Sequence, residues 1–312
     1  MTVGQTGEFG LISGIIARLG VGPASLLGPG DDAAVVAAPD GRVVASTDVL
    51  VDGRHFRRDW STAVDVGRRA AAANLADIAA MGATPTALLV ALCAPPDLEV
   101  KWAHQLADGL GDECARVGAS VVGGDISSSP TLTIAVTALG DLGGVEPVTR
   151  SGARPGDVIA YVGRLGWAAA GHTILSRGFR SPKALVEAHR RPAPPYSAGP
   201  AAARLGATSM IDISDGLVAD LGHVADASGV LMDVRQEAIE IPAAMADAAT
   251  ALGADPYDWA LGGGDDHALV ATFPPRVELP KQWSAIGRVR DGSGVTVDGK
   301  PYQGTAGWDH FR

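Results

Sequence analysis

The chain has 312 residues, 46% hydrophobic and 19% charged, a balance that describes a globular protein and excludes a disordered one. A net charge of −10 argues against the basic footprint of a nucleic-acid binder. The length suggests two domains, each able to bury its own core.

Cys93 and Cys114 are too few and too poorly spaced for a disulfide framework or a zinc site, and both read as buried reduced thiols. Met1–Gly10 lacks a basic region followed by an apolar core, so no secretory signal is expected. The most apolar stretch, Ala70–Ala94, is broken by Asp77 and Pro85 and does not read as a membrane span. The expectation is a cytoplasmic protein.

In chain order, Phe9–Leu19 has helical spacing of Phe9, Ile12, Ile15, Ile16 and Leu19. The turn Gly28-Pro29-Gly30-Asp31-Asp32 then delivers two adjacent carboxylates ahead of the apolar run Ala33–Ala38. Arg42–Val51 reads as a strand ending in Ser46-Thr47-Asp48, the polar trio at or near its carboxyl end, with a loop over Asp52–Phe56 that holds His55. Thr62–Met81 reads as an alanine-rich helix able to lie close against a sheet, with Asn74 and Asp77 on one face. Thr86–Cys93 is a strand, Asp97–Val117 a helix, and Ala119–Val122 a short strand running into Gly123-Gly124-Asp125. Leu132–Leu139 is another strand. Several strands per helix argue against a doubly wound nucleotide fold.

Glycine, proline and charge cluster over Leu142–Pro155, a candidate domain boundary. Beyond it, Asp157–Val162 is a strand, Trp167–Leu175 a helix, and Arg190–Pro195 a stiff connector. The strand Met210–Ile213 ends in Ser214-Asp215-Gly216 before the helix Leu217–Ala227. Val230–Val234 is a strand, Pro242–Leu252 a helix, and Ala268–Phe273 a strand entered through a second turn, Gly264-Asp265-Asp266.

Mg²⁺ takes oxygen ligands and usually binds through one or two carboxylates plus substrate phosphates. Several such ions around a polyphosphate need several well-separated aspartates on short turns. The chain offers Asp31, Asp32, Asp48, Asp77, Asp125, Asp212 and Asp215, most beside glycine, serine or threonine, whose small size admits phosphate oxygens. Arg150 could grip a phosphate bidentately. Neither a P-loop nor a protein-kinase catalytic loop is present. Taken singly, each residue has a plainer reading: a solvated turn for Asp31, a helix cap for Ser214 or Asp215, an exposed loop position for His55, terminal packing for Trp308.

Taken together the motifs resemble a known family. Gly-Asp-Asp-Ala-Ala (30–34), Ser-Thr-Asp-Val-Leu-Val (46–51), Asn-Leu-Ala-Asp-Ile-Ala-Ala-Met-Gly-Ala (74–83) and Gly-Gly-Asp (123–125) are similar to segments of thiamine-monophosphate kinases. So are Thr-Arg-Ser-Gly-Ala-Arg-Pro-Gly-Asp (149–157), Ile-Asp-Ile-Ser-Asp-Gly-Leu (211–217) and Trp-Asp-His-Phe (308–311). The match runs in order along nearly the whole chain.

The resemblance implies an α/β protein of α+β type with the two-domain aminoimidazole ribonucleotide synthetase-like fold. Residues 1–145 would be the ATP- and Mg²⁺-binding domain, its mixed sheet pairing into a barrel across a homodimer. Residues 146–312 would form the α/β domain completing the substrate site. The implied reaction moves the ATP γ-phosphoryl group onto thiamine monophosphate, directly and in line, with several Mg²⁺ ions between the substrates. By motif, Asp32, Ser46, Thr47, Asp48, Asp77, Asp125, Asp212 and Asp215 would be metal ligands. Gly124, Asp125, Arg150 and Ser214 would contact ATP, and His55, Asp265 and Trp308 the acceptor, which reverses the stand-alone readings of His55 and Trp308. Asp48, Asp125, Asp215 and Arg150 would carry the catalytic charge balance.

One motif departs from the family: Gly263-Gly264-Asp265-Asp266-His267 stands where Gly-Gly-Glu-Asp-Tyr is usual. Rival readings are an aminoimidazole ribonucleotide synthetase-like enzyme or a non-catalytic nucleotide- and cation-binding protein. Selenophosphate synthetase would need a reactive residue near the start, but no cysteine precedes Cys93. The hydrogenase-maturation relative ends in cysteine, whereas this chain ends His310-Phe311-Arg312.

Overall fold

The computed structural model describes residues 1–29, 33–304 and 307. Asp31, Asp32, Trp308 and the tail Asp309–Arg312 lie outside the described residues. The chain divides into two compact units, Met1–Ile78 with Ala83–Gly144, and Ala79–Gly82 with Val145–Arg312.

The first unit opens with helices α1 (Val3–Thr6) and α2 (Glu8–Ile16) and a small antiparallel pair, β1 (Ser25–Leu27) and β2 (Val35–Val36). Its body is β3 (Val44–Val51), α3 (Ala63–Ala80), β4 (Thr84–Ala94), α4 (Val100–Ala115), β5 (Ser120–Ser128) and β6 (Thr133–Asp141). The strands form a four-stranded sheet in the order β3-β6-β4-β5, with only β4/β5 parallel.

Thr62 starts α3 as a reciprocal cap: its N–H and hydroxyl both donate to Asp65 Oδ2 at 2.8 Å, and the Asp65 N–H donates back to Thr62 Oγ1. Small side chains then let α3 pack tightly. A Cβ on Gly67 would lie 2.2 Å from the Leu106 carbonyl oxygen, and one on Gly109 2.2 Å from that of Val64, so α3 and α4 touch backbone to backbone. Gly140 on β6 similarly makes room for Ile78. Ala70, Ala71, Ala72, Leu75, Ala76 and Ile78 are fully buried, and their burial stabilises the unit at about 25 cal/mol per Å² of apolar surface.

The sequence ended the strand before Asp125 at Val122, but β5 continues to Ser128. Gly123-Gly124-Asp125 is therefore mid-strand and not a turn. The parallel partner β4 supplies the reason: Leu89, Val90 and Ala91 pair in register with Gly123, Gly124 and Asp125. Glycine is required at 124, where a Cβ would lie 1.9 Å from the Val90 carbonyl oxygen.

The second unit comprises β7 (Val158–Val162), α5 (Trp167–Ser176), α6 (Lys183–Arg190), α7 (Ala198–Leu205), β8 (Ser209–Ile213), α8 (Leu217–Ser228), β9 (Leu231–Val234), α9 (Ala243–Leu252), α10 (Pro256–Gly262), β10 (Ala268–Phe273), β11 (Ser284–Arg290), β12 (Gly294–Val297) and β13 (Lys300–Pro301). Its seven-stranded sheet has the order β13-β12-β9-β11-β7-β10-β8, with only β12/β9 parallel. Strand alternation splits β10 between two cores. Ala268 and Val270 join Ile211, Ile213, Leu217 and Leu221 on one face, while Leu269, Ala271 and Phe273 join Met210, Ala198 and Ala202 on the other.

Helices α6, α7 and α10 and strands β11–β13 were not legible in the sequence. In α7, Gly199 and Pro200 suggest a loop, yet the proline sits in the first turn, where its missing N–H costs nothing. Gly199 is there for packing, since a Cβ would lie 1.9 Å from the Ala79 carbonyl oxygen.

Candidate active site

In the first unit the site begins on β3, where period-2 alternation puts Ser46, Asp48 and the buried Leu50 on one face. That face meets α3. Ser46 Oγ donates to Asp77 Oδ2 at 2.6 Å, and the Asp48 N–H donates to Asn74 Oδ1 at 3.0 Å. Asn74 is wholly buried and is itself fixed by donating Nδ2–H to the Ala70 carbonyl at 3.0 Å. The strand face carrying Ser46 and Asp48 thus meets the helix face carrying Asp77, an oxygen-donor set of the kind Mg²⁺ takes.

Two expected partners lie on the other side of that sheet. The Thr47 hydroxyl donates to the Val136 carbonyl at 2.9 Å and accepts from Thr137 Oγ1 at 3.0 Å. Asp125 is exposed and pairs in register with Ala91, which pairs with Ala135 and through it with Val49, so it shares the face of Thr47 and Val49. Within this unit Asp125 does not join Asp48 and Asp77. His55 follows β3 in a tight loop, and its Nδ1 accepts the Val51 N–H at 3.0 Å. The ring proton is thereby fixed on Nε2, leaving His55 a donor.

In the second unit two aspartate-bearing turns lie against each other. The Asp265 N–H donates to the Ser214 carbonyl at 2.8 Å, and the His267 N–H to the Ile213 carbonyl at 3.0 Å. Only glycine permits this lacing at 264, where a Cβ would lie 2.0 Å from the Ser214 carbonyl oxygen. Asp265 and His267 adopt left-handed backbone, φ 67° and 51°, a conformation Asp and His accept more readily than most residues.

Consecutive side chains consequently take different routes. Asp265 is half-exposed. Asp266 is buried and accepts the Ala168 N–H at 3.0 Å at the start of α5. Burial pushes its carboxyl up to about 7, against the opposing pull of that N–H bond. His267 Nδ1 lies 3.0 Å from Asp212 Oδ2, with both groups buried.

Asp215 and Ser214 are half-buried at the start of α8. Asp220, one turn in, accepts the Asp215 and Gly216 N–H groups at 3.1 and 3.0 Å. Burial, then the charges of Asp212 and Asp215, push its carboxyl up to about 7. One ligand atom each from Asp215, Asp220 and His223 lies within 4.8 Å of the others. The sequence reading missed Asp220 and His223, although an aspartate and a histidine three apart on a helix share a face.

Arg150 is exposed, and its carbonyl accepts from Ser228 Oγ at 3.0 Å, at the far end of α8 from Ser214. The helix has 12 residues, roughly 18 Å at the usual rise, so Arg150 and Ser214 do not meet in this unit.

Two α/β units, the first bearing an oxygen-donor face between a strand and an alanine-rich helix, fit a recognised class: residues 30–142 match the N-terminal domain of AIR synthase related proteins. The thiamine-monophosphate kinase of Mycobacterium tuberculosis is 50% identical over 312 aligned residues, covering 99% of this chain and 93% of that one. The Corynebacterium glutamicum thiamine-monophosphate kinase is 41% identical, with 99% and 95% covered. A solved structure of AaThiL complexed with AMPPCP and TMP superposes with a TM-score of 0.82 at 35% identity, covering 100% of this chain and 99% of the other. The chain belongs to the thiamine-monophosphate kinase family.

Proposed function

We propose that the chain transfers the γ-phosphoryl group of ATP to thiamine monophosphate, giving thiamine diphosphate and ADP. The observation that carries the reading is full-length similarity to a protein solved with both an ATP analogue and TMP.

The acceptor's own phosphate oxygen attacks the γ-phosphorus in line, forming the new P–O bond as the bond to the ADP oxygen breaks. A phosphate monoester is largely dianionic near neutral pH, so no side chain has to deprotonate it. His55 fits that demand, because with Nδ1 occupied it offers only an N–H to an acceptor oxygen. Phosphoryl transfer of this kind rests on positioning and charge neutralisation.

Several Mg²⁺ ions, when bound, supply that neutralisation. Ser46, Asp48 and Asp77 would hold Mg²⁺ in the first unit, with Asp32 as a further ligand and Asp125 and Thr47 serving from the opposite face of the sheet. Asp212 and Asp215 would do so in the second. The donor chemistry fits: oxygens are gathered on one β3 face, and burial together with the charges of Asp212 and Asp215 makes the Asp220 carboxyl resist ionisation. Gly124, Asp125, Arg150 and Ser214 would contact ATP, and Asp265 and Trp308 the acceptor.

A homodimer is part of the reading. The sheet face carrying Thr47 and Asp125 leaves Val49 47% and Leu89 38% exposed, as a face covered by a second copy would. Among the described residues no helix is long and apolar enough to cross a membrane.

The test is incubation with ATP, Mg²⁺ and thiamine monophosphate, scoring thiamine diphosphate and ADP in equal amounts. ATP binding without thiamine diphosphate formation would overturn the reading in favour of a binding protein.

A further inference from the structure

The contact between His267 and Asp212 ties the turn before β10 to strand β8. Asp212 lies on β8 on the apolar face shared by Met210 and Leu269, only 4% exposed. A carboxylate there needs a hydrogen-bond partner, because burying it unpaired is costly. The ring of His267, 6% exposed, provides that partner at 3.0 Å. The backbone goes to some expense to put it there: φ is 51°, held by the 3.0 Å bond from the His267 N–H to the Ile213 carbonyl.

From this geometry we propose that His267 is a positioning residue, donating Nδ1–H to Asp212 Oδ2 so that Oδ1 is the oxygen offered to a divalent cation. The proposal deepens the kinase reading and rests on Asp212 being a metal ligand. A ring N–H bonded to a ligating carboxylate fixes its rotamer and limits it to one coordinating oxygen, and loss of such an outer partner typically weakens metal binding 10–100-fold. The negative charge of Asp212 acts on Asp220, so its orientation bears on the Asp215, Asp220 and His223 group as well.

The experiment measures Mn²⁺ binding by electron paramagnetic resonance in the presence of AMPPCP, for the full chain and the variants His267→Phe, His267→Asn and Asp212→Asn. His267→Phe keeps a ring but loses the donor. His267→Asn keeps an N–H near the Nδ1 position and tolerates left-handed backbone. Expected are a Mn²⁺ affinity about 10-fold weaker in His267→Phe and within about threefold of wild type in His267→Asn. Activity of His267→Phe should recover as Mn²⁺ is raised to saturation, which a merely structural defect would not do.

Wild-type affinity in His267→Phe, or an equal loss in His267→Asn, overturns the proposal while leaving the kinase reading intact. Wild-type affinity in Asp212→Asn removes the metal role of Asp212, and the proposal falls with it. A measurement on unaltered protein covers a variant that fails to fold. With ¹⁵N-labelled histidine, the His267 Nδ1–H resonance should shift on adding Mg²⁺ with AMPPCP, and an unmoved signal overturns the proposal.

Discussion

The two units gather their aspartates by different physical means. On β3 and α3 the donors meet because regular elements present them: alternate strand residues Ser46 and Asp48 face helix positions Asn74 and Asp77, three apart. In the second unit the groups sit on irregular turns, positioned by backbone bonds from 265 to 214 and from 267 to 213. A side-chain site on regular elements tolerates replacement of one side chain without loss of shape. A site laced through its backbone depends on residues with no side chain at all.

The sharpest way to break the comparison is Gly264→Ala. Its Cβ would press on the Ser214 carbonyl oxygen and the Asp215 carbonyl carbon, both backbone atoms that cannot swing aside. The expected cost is roughly 3 kcal/mol or more, seen as a lowered urea midpoint together with loss of activity. A midpoint within error of wild type would mean that the two turns are not in contact.

Next in size, Asp48→Asn should leave the fold intact, because the bond from the residue 48 backbone N–H to Asn74 survives the substitution. Its kcat/KM should fall about 100-fold, equivalent to about 2.7 kcal/mol, with an unchanged melting temperature. Unchanged turnover would remove Asp48 from the site.

The smallest effect concerns Asp266, whose folded-state carboxyl titrates near 7 instead of near 3.8. The folded chain then binds the extra proton between those values. Asp266 therefore contributes stability that is full below about pH 4, is lost as pH rises toward 7, and is flat above. Asp266→Asn keeps an acceptor for the Ala168 N–H and should flatten this slope. Identical stability-against-pH curves for variant and wild type would contradict it.

Much of the first unit was legible. An alanine-rich helix with Asn74 and Asp77 on one face, and a strand carrying Ser46 and Asp48, follow from periodicities of 3.6 and 2 that need only neighbouring residues. The same periodicity misplaced Asp125, because glycines at 123 and 124 read as a turn until the parallel partner β4 extends the strand through them.

From the sequence alone came the residues proposed to carry the chemistry, the family to which their order belongs, and the helices and strands whose apolar pattern is local. The tertiary structure decided which face of the sheet Asp125 occupies, that Arg150 lies at the opposite end of α8 from Ser214, and that His267 meets Asp212. Each of these depends on register or on contact between segments distant in sequence. No local periodicity encodes such contacts, since they arise only when separate elements pack.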